Sequence, residues 1–255
     1  MKAALDWQIA MGVDEAIADS PIDRFAASAE AAVVTPNKSA GPAVEPVVDA
    51  GPDPVALSKS LASAASDLEA LRAAMDAYEF CDLKRGARQL VFADGRPGAR
   101  VMIIGEAPGR DEDQAGLPFV GRAGQLLDLM FRHIGLARTS PDVETALYIT
   151  NVLPWRPPQN RDPKPDEVAM MLPFLERHVA IADPDLIVAM GNHATNALMG
   201  KTGITRLRGT WSEALGRPVL PMFHPAYLLR NPAAKREAWA DLLSLSARLE
   251  DKGQT

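Results

Sequence analysis

The chain has 255 residues, of which 47% are hydrophobic and 24% charged, with a net charge of −6. That length supports one sizeable core plus a tail, and the composition is ordinary for a soluble globular protein. The single cysteine, Cys81, excludes an intramolecular disulfide; residues 1–7 lack the long apolar stretch of a signal peptide, and no run reaches membrane-spanning length, so a cytoplasmic protein is expected.

The charge is uneven. Residues 1–60 hold four basic and nine acidic residues, a net of −5, which leaves the rest of the chain near −1. Within residues 200–236 there are seven basic residues (Lys201, Arg206, Arg208, Arg217, Arg230, Lys235 and Arg236) against Glu213 alone. A local basic stretch of this kind is compatible with phosphate contact, whereas overall charge is a poor guide to it. A solvated surface with ordinary arginines is the competing reading.

In chain order, Leu5, Ile9, Met11, Val13 and Ile17 predict a short amphipathic helix over residues 4–18. Residues 31–57 are rich in Ala, Pro, Val, Gly and Asp without a period, and read as an extended linker. The domain boundary is therefore expected at residue 57, with a compact unit over 58–255. Leu61, Leu68, Leu71 and Met75 predict a helix over 58–78. Asp94-Gly95 is a turn signal after Leu90-Val91-Phe92, which predicts a hairpin or edge strand. From there strands and helices alternate. Strands are expected at 100–104, 147–151, 185–190 and 219–223, and helices at 122–134, 165–181, 191–199 and 232–249, with a hairpin-like segment at 204–215. Pro165, Asp166 and Glu167 suit a helix N-terminus. This alternation predicts an α/β protein with a mainly parallel sheet and helices on both faces.

Each predicted strand runs into a polar or glycine-containing cluster: Gly105-Glu106-Ala107-Pro108-Gly109, Asn151, Gly191-Asn192-His193 and His224-Pro225. Ligands of open α/β sheets bind beyond the carboxyl ends of the strands. A carboxylate, a carboxamide and an imidazole are thus expected at one rim. The first cluster is neither G-x-G-x-x-G nor a P-loop, so dinucleotide and NTP binding are poorly supported. Glu106 is a reactive carboxylate or a turn cap. Phe119, in Pro118-Phe119-Val120, either folds back into the core or offers a ring face to a base. Asn151 forms a turn or presents donor and acceptor to a base edge. In His224-Pro225-Ala226-Tyr227-Leu228-Leu229-Arg230, apolar residues beside a cation fit a wedge that enters a duplex.

The order GEAPG, GxPFVGRAGQLLD, YITNV with RPPxNRDP, and HPAYLLR resembles the family 4 uracil-DNA glycosylases from about Cys81 to Leu242. Residues 1–57 lie outside the resemblance. It implies a three-layer αβα sandwich around a four-stranded parallel sheet, and hydrolysis of the N-glycosidic bond of deoxyuridine in DNA. By motif position it implies that Glu106 holds or activates the attacking water and that His224 donates to uracil O2. Phe119 would stack on the flipped uracil, Asn151 would bond its edge, and Glu112 would sit near C5 and exclude the thymine methyl. Ala107 would border the pocket. The HPAYLLR segment would be the DNA-entering loop, with Tyr227, Leu228 and Arg230 contacting DNA; Arg206 and Arg208 of the basic stretch are expected DNA contacts as well. Family members commonly hold a four-iron, four-sulfur cluster on four cysteines. Here those positions read Tyr78, Cys81, Trp155 and Met171, so no cluster, no other cofactor and no metal is expected, and the three replacements should pack together. A monomer is expected, with residues 1–20 a candidate site for a protein partner.

Two other readings stay open at the level of sequence. One is a uracil-DNA protein that remains covalently attached through a histidine after the first motif; Val120 to Gln125 has neither that insertion nor a histidine, and His133 lies further on. The other is a non-catalytic module or small-molecule enzyme on the same scaffold, because fold does not fix function.

Overall fold

The computed structural model describes residues 52–252. The expected helix at 4–18 and most of the 31–57 linker lie outside the described residues. In chain order the elements are α1 (Pro54–Ala64), α2 (Leu68–Ala77), α3 (Leu83–Gly86), β1 (Asp94–Gly95), β2 (Val101–Gly105), α4 (Arg110–Ala115), α5 (Arg122–Arg132), β3 (Leu147–Asn151), α6 (Pro165–Ala182), β4 (Leu186–Met190), α7 (Gly191–Met199), α8 (Ile204–Leu207), β5 (Ser212–Ala214), β6 (Arg217–Met222), α9 (Pro225–Arg230) and α10 (Lys235–Lys252). No described helix is long and apolar enough to cross a membrane.

The sheet order is β1-β3-β2-β4-β6-β5. The four central strands are parallel, as expected, with Gly105 opposite Asn151 and Met190 opposite Met222. The four-stranded expectation needs one correction: β1 and β5 add short antiparallel edges. The 204–215 segment is a single helical turn followed by β5, which forms a hairpin with β6.

The central strands are buried on both faces, and the two-residue pleat sorts their side chains into two layers. Met102, Ile104, Tyr148, Ile187, Ala189 and Val219 join the cluster that includes Leu71 of α2, Phe174 of α6 and Leu198 of α7. Val101, Ile103, Ile149, Val188 and Leu220 face the cluster of Leu127 and Phe131 of α5 and Leu242 and Leu245 of α10. Helices thus cover both sheet faces, giving the αβα sandwich.

The helix expected over 58–78 is two helices. The Asp67 carboxylate accepts from the Ala70 N–H at 2.8 Å and starts α2, while Ala65 is extended. The Arg177 guanidinium donates to the Ala65 carbonyl at 2.9 and 2.6 Å and pins that corner. Local capping therefore overrides the longer apolar period. Helix α1 begins at Pro54, inside the segment read as linker, and its N-cap Asp53 accepts from Val55 N–H at 3.0 Å.

The chain leaves β2 for β3 on one side and later enters β4 on the other. That reversal opens a crevice beyond the carboxyl end of β2.

Candidate active site

Four strand ends deliver the site. Glu106 follows β2, Asn151 ends β3, His193 lies in the first turn of α7 after β4, and His224 follows β6 as the N-cap of α9. A cavity of about 430 Å³ lies there, and Glu106, Ala107, Glu112, Phe119, Asn151, His224, Tyr227 and Arg230 all border it. Eight of the eleven residues predicted from sequence therefore meet in one place. Arg206, Arg208 and Leu228 do not.

The polar groups in the cavity are poised differently. The His224 Nδ1 accepts from the Ala226 N–H at 3.1 Å, which leaves the neutral ring's proton on Nε2. Burial, with Arg230 adding to it, pushes His224 down to about 4, so the ring is a neutral donor at physiological pH. Asn151 is 7% exposed, and among the described residues none hydrogen-bonds its carboxamide. A buried amide left open towards a cavity offers one donor and one acceptor side to a ligand. Burial raises the Glu106 carboxyl above the ordinary range; His193 opposes that rise and Asp162 adds to it.

The aromatic floor is built with little tolerance. Phe119 has φ +54, an unfavourable region for a bulky side chain. Arg138 holds it there. Its guanidinium donates to the carbonyls of Pro118 at 2.8 Å and Phe119 at 2.9 Å, and also to Asp128 and Asp94. The Phe119 ring stacks on His224 with centroids 5.4 Å apart. Gly105 is required by this approach: a Cβ there would stand 2.3 Å from Asn151 Oδ1 and 2.6 Å from the Phe119 ring. Gly191, at φ +90, plays the same part beside His224, whose Cβ would lie 3.0 Å from an added methyl.

Glu112 borders the cavity and is also bound to the backbone. Its Oε1 accepts from the N–H groups of Val120 and Gly121 at 3.0 and 2.9 Å, and its Oε2 from Gly109 at 3.1 Å. Both oxygens serve the backbone, so Glu112 fastens the Phe119 loop to the first motif.

Three expected DNA-contact residues lie away from the cavity. Leu228 is fully buried and borders a separate apolar groove of about 380 Å³ between α5 and α10. The exposed apolar residue of that segment is Leu229, 37% exposed, next to exposed Arg230. A six-residue helix turns one face inward, and the sequence alone did not reveal which leucine lay on it. Arg208 is consumed by Asp241, with Nε to Oδ2 at 2.8 Å, and by the Glu237 carbonyl at 2.9 Å. Arg206 is exposed on α8 but does not border the cavity. His133 caps α5 through Leu129 and borders the apolar groove instead of the cavity.

Sequence reading passed over Arg138 and the pairing of His193 with Asp162. The His193 Nε2 lies 3.9 Å from Glu106 Oε2 and 3.5 Å from Asp162 Oδ1. These three offer ligand atoms within 4.8 Å of one another, the one such set among the described residues. His193 stood in a strand-end cluster, which was the available signal; Asp162 is brought in only by the fold.

Comparison with known proteins agrees with this geometry. The family model of the Uracil DNA glycosylase superfamily matches residues 92–243. The Type-4 uracil-DNA glycosylase of Thermotoga maritima is 42% identical over 154 residues, covering 59% of this chain and 77% of that protein. The Type-4 uracil-DNA glycosylase of Sulfurisphaera tokodaii is 38% identical over 179 residues, covering 66% and 79%. That of Archaeoglobus fulgidus is 38% identical over 172 residues, covering 63% and 82%.

Proposed function

The chain belongs to the uracil-DNA glycosylase superfamily, and from that premise we propose that it hydrolyses the N-glycosidic bond of deoxyuridine in DNA, releasing uracil and leaving an abasic site. The observation that carries the reading is the convergence of Glu106, Phe119, Asn151 and His224 on one cavity in a chain with these relatives.

The chemistry assigns each group a part. A base inside a duplex is unreachable, so the nucleotide is extruded into the cavity at a cost of a few kcal/mol. The Phe119 face receives the flipped ring, and the unpartnered Asn151 carboxamide pairs with its edge. As the glycosidic bond breaks, negative charge develops on uracil O2. The His224 Nε2–H, neutral and fixed by its backbone bond, donates to it. Glu106, beside the sugar position, favours the developing positive charge and takes a proton from the attacking water. Glu112 acts through the loop it fastens. Tyr227, Leu229 and Arg230 form the DNA-facing edge, with Leu229 in the place expected for Leu228.

The residues at the cluster positions do not fit an iron–sulfur centre. Tyr78, Cys81, Trp155 and Met171 are at most 1% exposed and belong to one apolar cluster. One thiol, raised by burial away from its thiolate form, cannot replace four. We propose that apolar packing does the structural work here. Purified protein is expected to carry no stoichiometric iron and to keep its activity after chelation.

The enzyme is proposed to act as a monomer, which sedimentation would test. The acidic segment before the domain is proposed to tether it to a protein partner. Truncation should stop before Pro52, because α1 begins at Pro54 and the Pro54 carbonyl accepts from Tyr78 Oη at 2.8 Å. No change in pull-downs after that deletion would dispose of the tether.

The direct test is an oligonucleotide carrying one uracil, followed by alkaline cleavage of the abasic product. Scission at the uracil supports hydrolysis. A band shift that survives denaturation would indicate covalent capture instead, for which the position of His133 outside the cavity gives no support. Neither signal would mean that the substrate is misassigned.

A further inference from the structure

The cavity has a second wall behind it. Glu106 borders the substrate cavity on one side and, on the other, a smaller cavity of about 320 Å³ that contains His193. His193 does not border the substrate cavity. Its Nε2 lies at ion-pair distance from Glu106 Oε2, 3.9 Å, and from Asp162 Oδ1, 3.5 Å. The Nε2 edge of the imidazole therefore faces a half-buried carboxylate and an exposed one together.

We propose that His193 is a positioning residue that keeps the Glu106 carboxylate ionised and oriented towards the attacking water. The inference rests on the role given to Glu106 above. Its logic is electrostatic. A base that takes a proton from water works only as the anion. Burial opposes that anion, and an adjacent imidazolium favours it. The remaining ionisable groups around Glu106 are already committed or lie across the cavity. Glu112 of α4 is taken by three backbone N–H groups. Arg161, before α6, pairs with Glu167. His224 of α9 stays neutral down to about pH 4, and Arg230 of α9 is exposed. That leaves His193 of α7 as the basic side chain nearest to Glu106, with Asp162 close to the same ring nitrogen.

The fold supplies the contact cheaply. Strands β4 and β2 are hydrogen-bonded neighbours in parallel register, so the first turn of α7 emerges beside the residue that follows β2. His193 is 35% exposed on its side chain, so substitution there leaves the sheet core intact.

The test is the pH dependence of single-turnover uracil release by wild type and by His193→Ala, His193→Gln and His193→Lys. Without the imidazole, the acid limb set by Glu106 should move to higher pH in the Ala and Gln variants. Their rates should fall about 3- to 10-fold at pH 6 and rejoin the wild type above pH 8, with KM unchanged. The Lys variant, which places a positive charge there, should retain the wild-type limb. Coincident limbs in all four proteins would overturn the proposal, as would a loss equal at every pH that Lys fails to restore. Glu106→Gln separates the two levels of the argument. If Glu106→Gln retains full rate, the role of Glu106 itself is wrong; if Glu106→Gln is inactive while the limbs coincide, only the role of His193 fails.

Discussion

Two buried regions of the same domain use polar atoms in opposite ways. Beneath α1, α2 and α6, Tyr78, Cys81, Trp155, Met171 and Phe174 form a closed hub. Tyr78 packs edge-on against Phe174 at 5.6 Å and spends its hydroxyl on the Pro54 carbonyl. At the strand ends, Asn151 keeps its carboxamide unpartnered and His224 commits only Nδ1. No buried side-chain nitrogen or oxygen among the described residues lacks a partner, so the open groups are open only because they meet the cavity. Hydrogen-bonding capacity that the fold could have absorbed and did not is where a ligand is expected.

The hub side of this comparison is broken most severely by Trp155→Ala. A fully buried aromatic side chain is removed, with an expected loss of about 3–5 kcal/mol of stability. Chemical denaturation should show the loss, while the rate per folded molecule stays near wild type. A large fall in rate per folded molecule would mean that the hub and the cavity are coupled.

The cavity side is broken by His224→Ala. Removing one positioned donor typically costs roughly 100- to 1000-fold in rate. Single-turnover cleavage should fall by that factor with the melting temperature close to wild type, and full activity would end the assignment of His224 as the donor to uracil O2. A milder pair of changes tests the corrected edge. Leu228→Ala should destabilise by about 2–3 kcal/mol with DNA affinity unchanged, since its side chain is fully buried. Leu229→Ala should leave the fold alone and weaken retention on uracil-containing duplex. The reverse assignment of effects would restore Leu228 as the DNA-entering residue.

Much of this contrast was legible in the sequence because it follows from regular spacing. Runs such as Val101-Met102-Ile103-Ile104 admit few alternatives to a buried strand, and a strand's carboxyl end predicts where Glu106, Asn151 and His224 go. What spacing did not reveal was which side chains the rest of the fold had already claimed. Glu112 reads as a free carboxylate until Val120, Gly121 and Gly109 are folded around it. Arg208 reads as a phosphate contact until α10 brings Asp241 to it. Arg138 lies in no motif, yet it holds Phe119 in its unfavourable backbone conformation. Long-range pairing decides these cases, and it has no local signature.

The smallest expected effect sharpens the comparison by asking whether a buried ring outside the cavity behaves like one inside it. His178 lies in the core, with Nε2 2.8 Å from Tyr148 Oη and the Phe92 ring stacked at 4.4 Å. Burial lowers it to about 3, against about 6.5 in the unfolded chain. Below pH 6.5 the unfolded state therefore takes up a proton that the folded state refuses until about pH 3. Stability from this site is complete above pH 6.5 and is lost as pH falls. Between pH 7 and pH 5 the loss should be about 2 kcal/mol. The double variant His178→Leu with Tyr148→Phe removes both partners, so neither is left buried and unpaired. Its stability should fall less steeply over that interval than that of wild type, by about that amount. His224, lowered to about 4, contributes in the same direction in both proteins, so the difference between them isolates His178. Equal slopes would mean that the core opens to admit the proton and that this ring is less enclosed than its packing indicates.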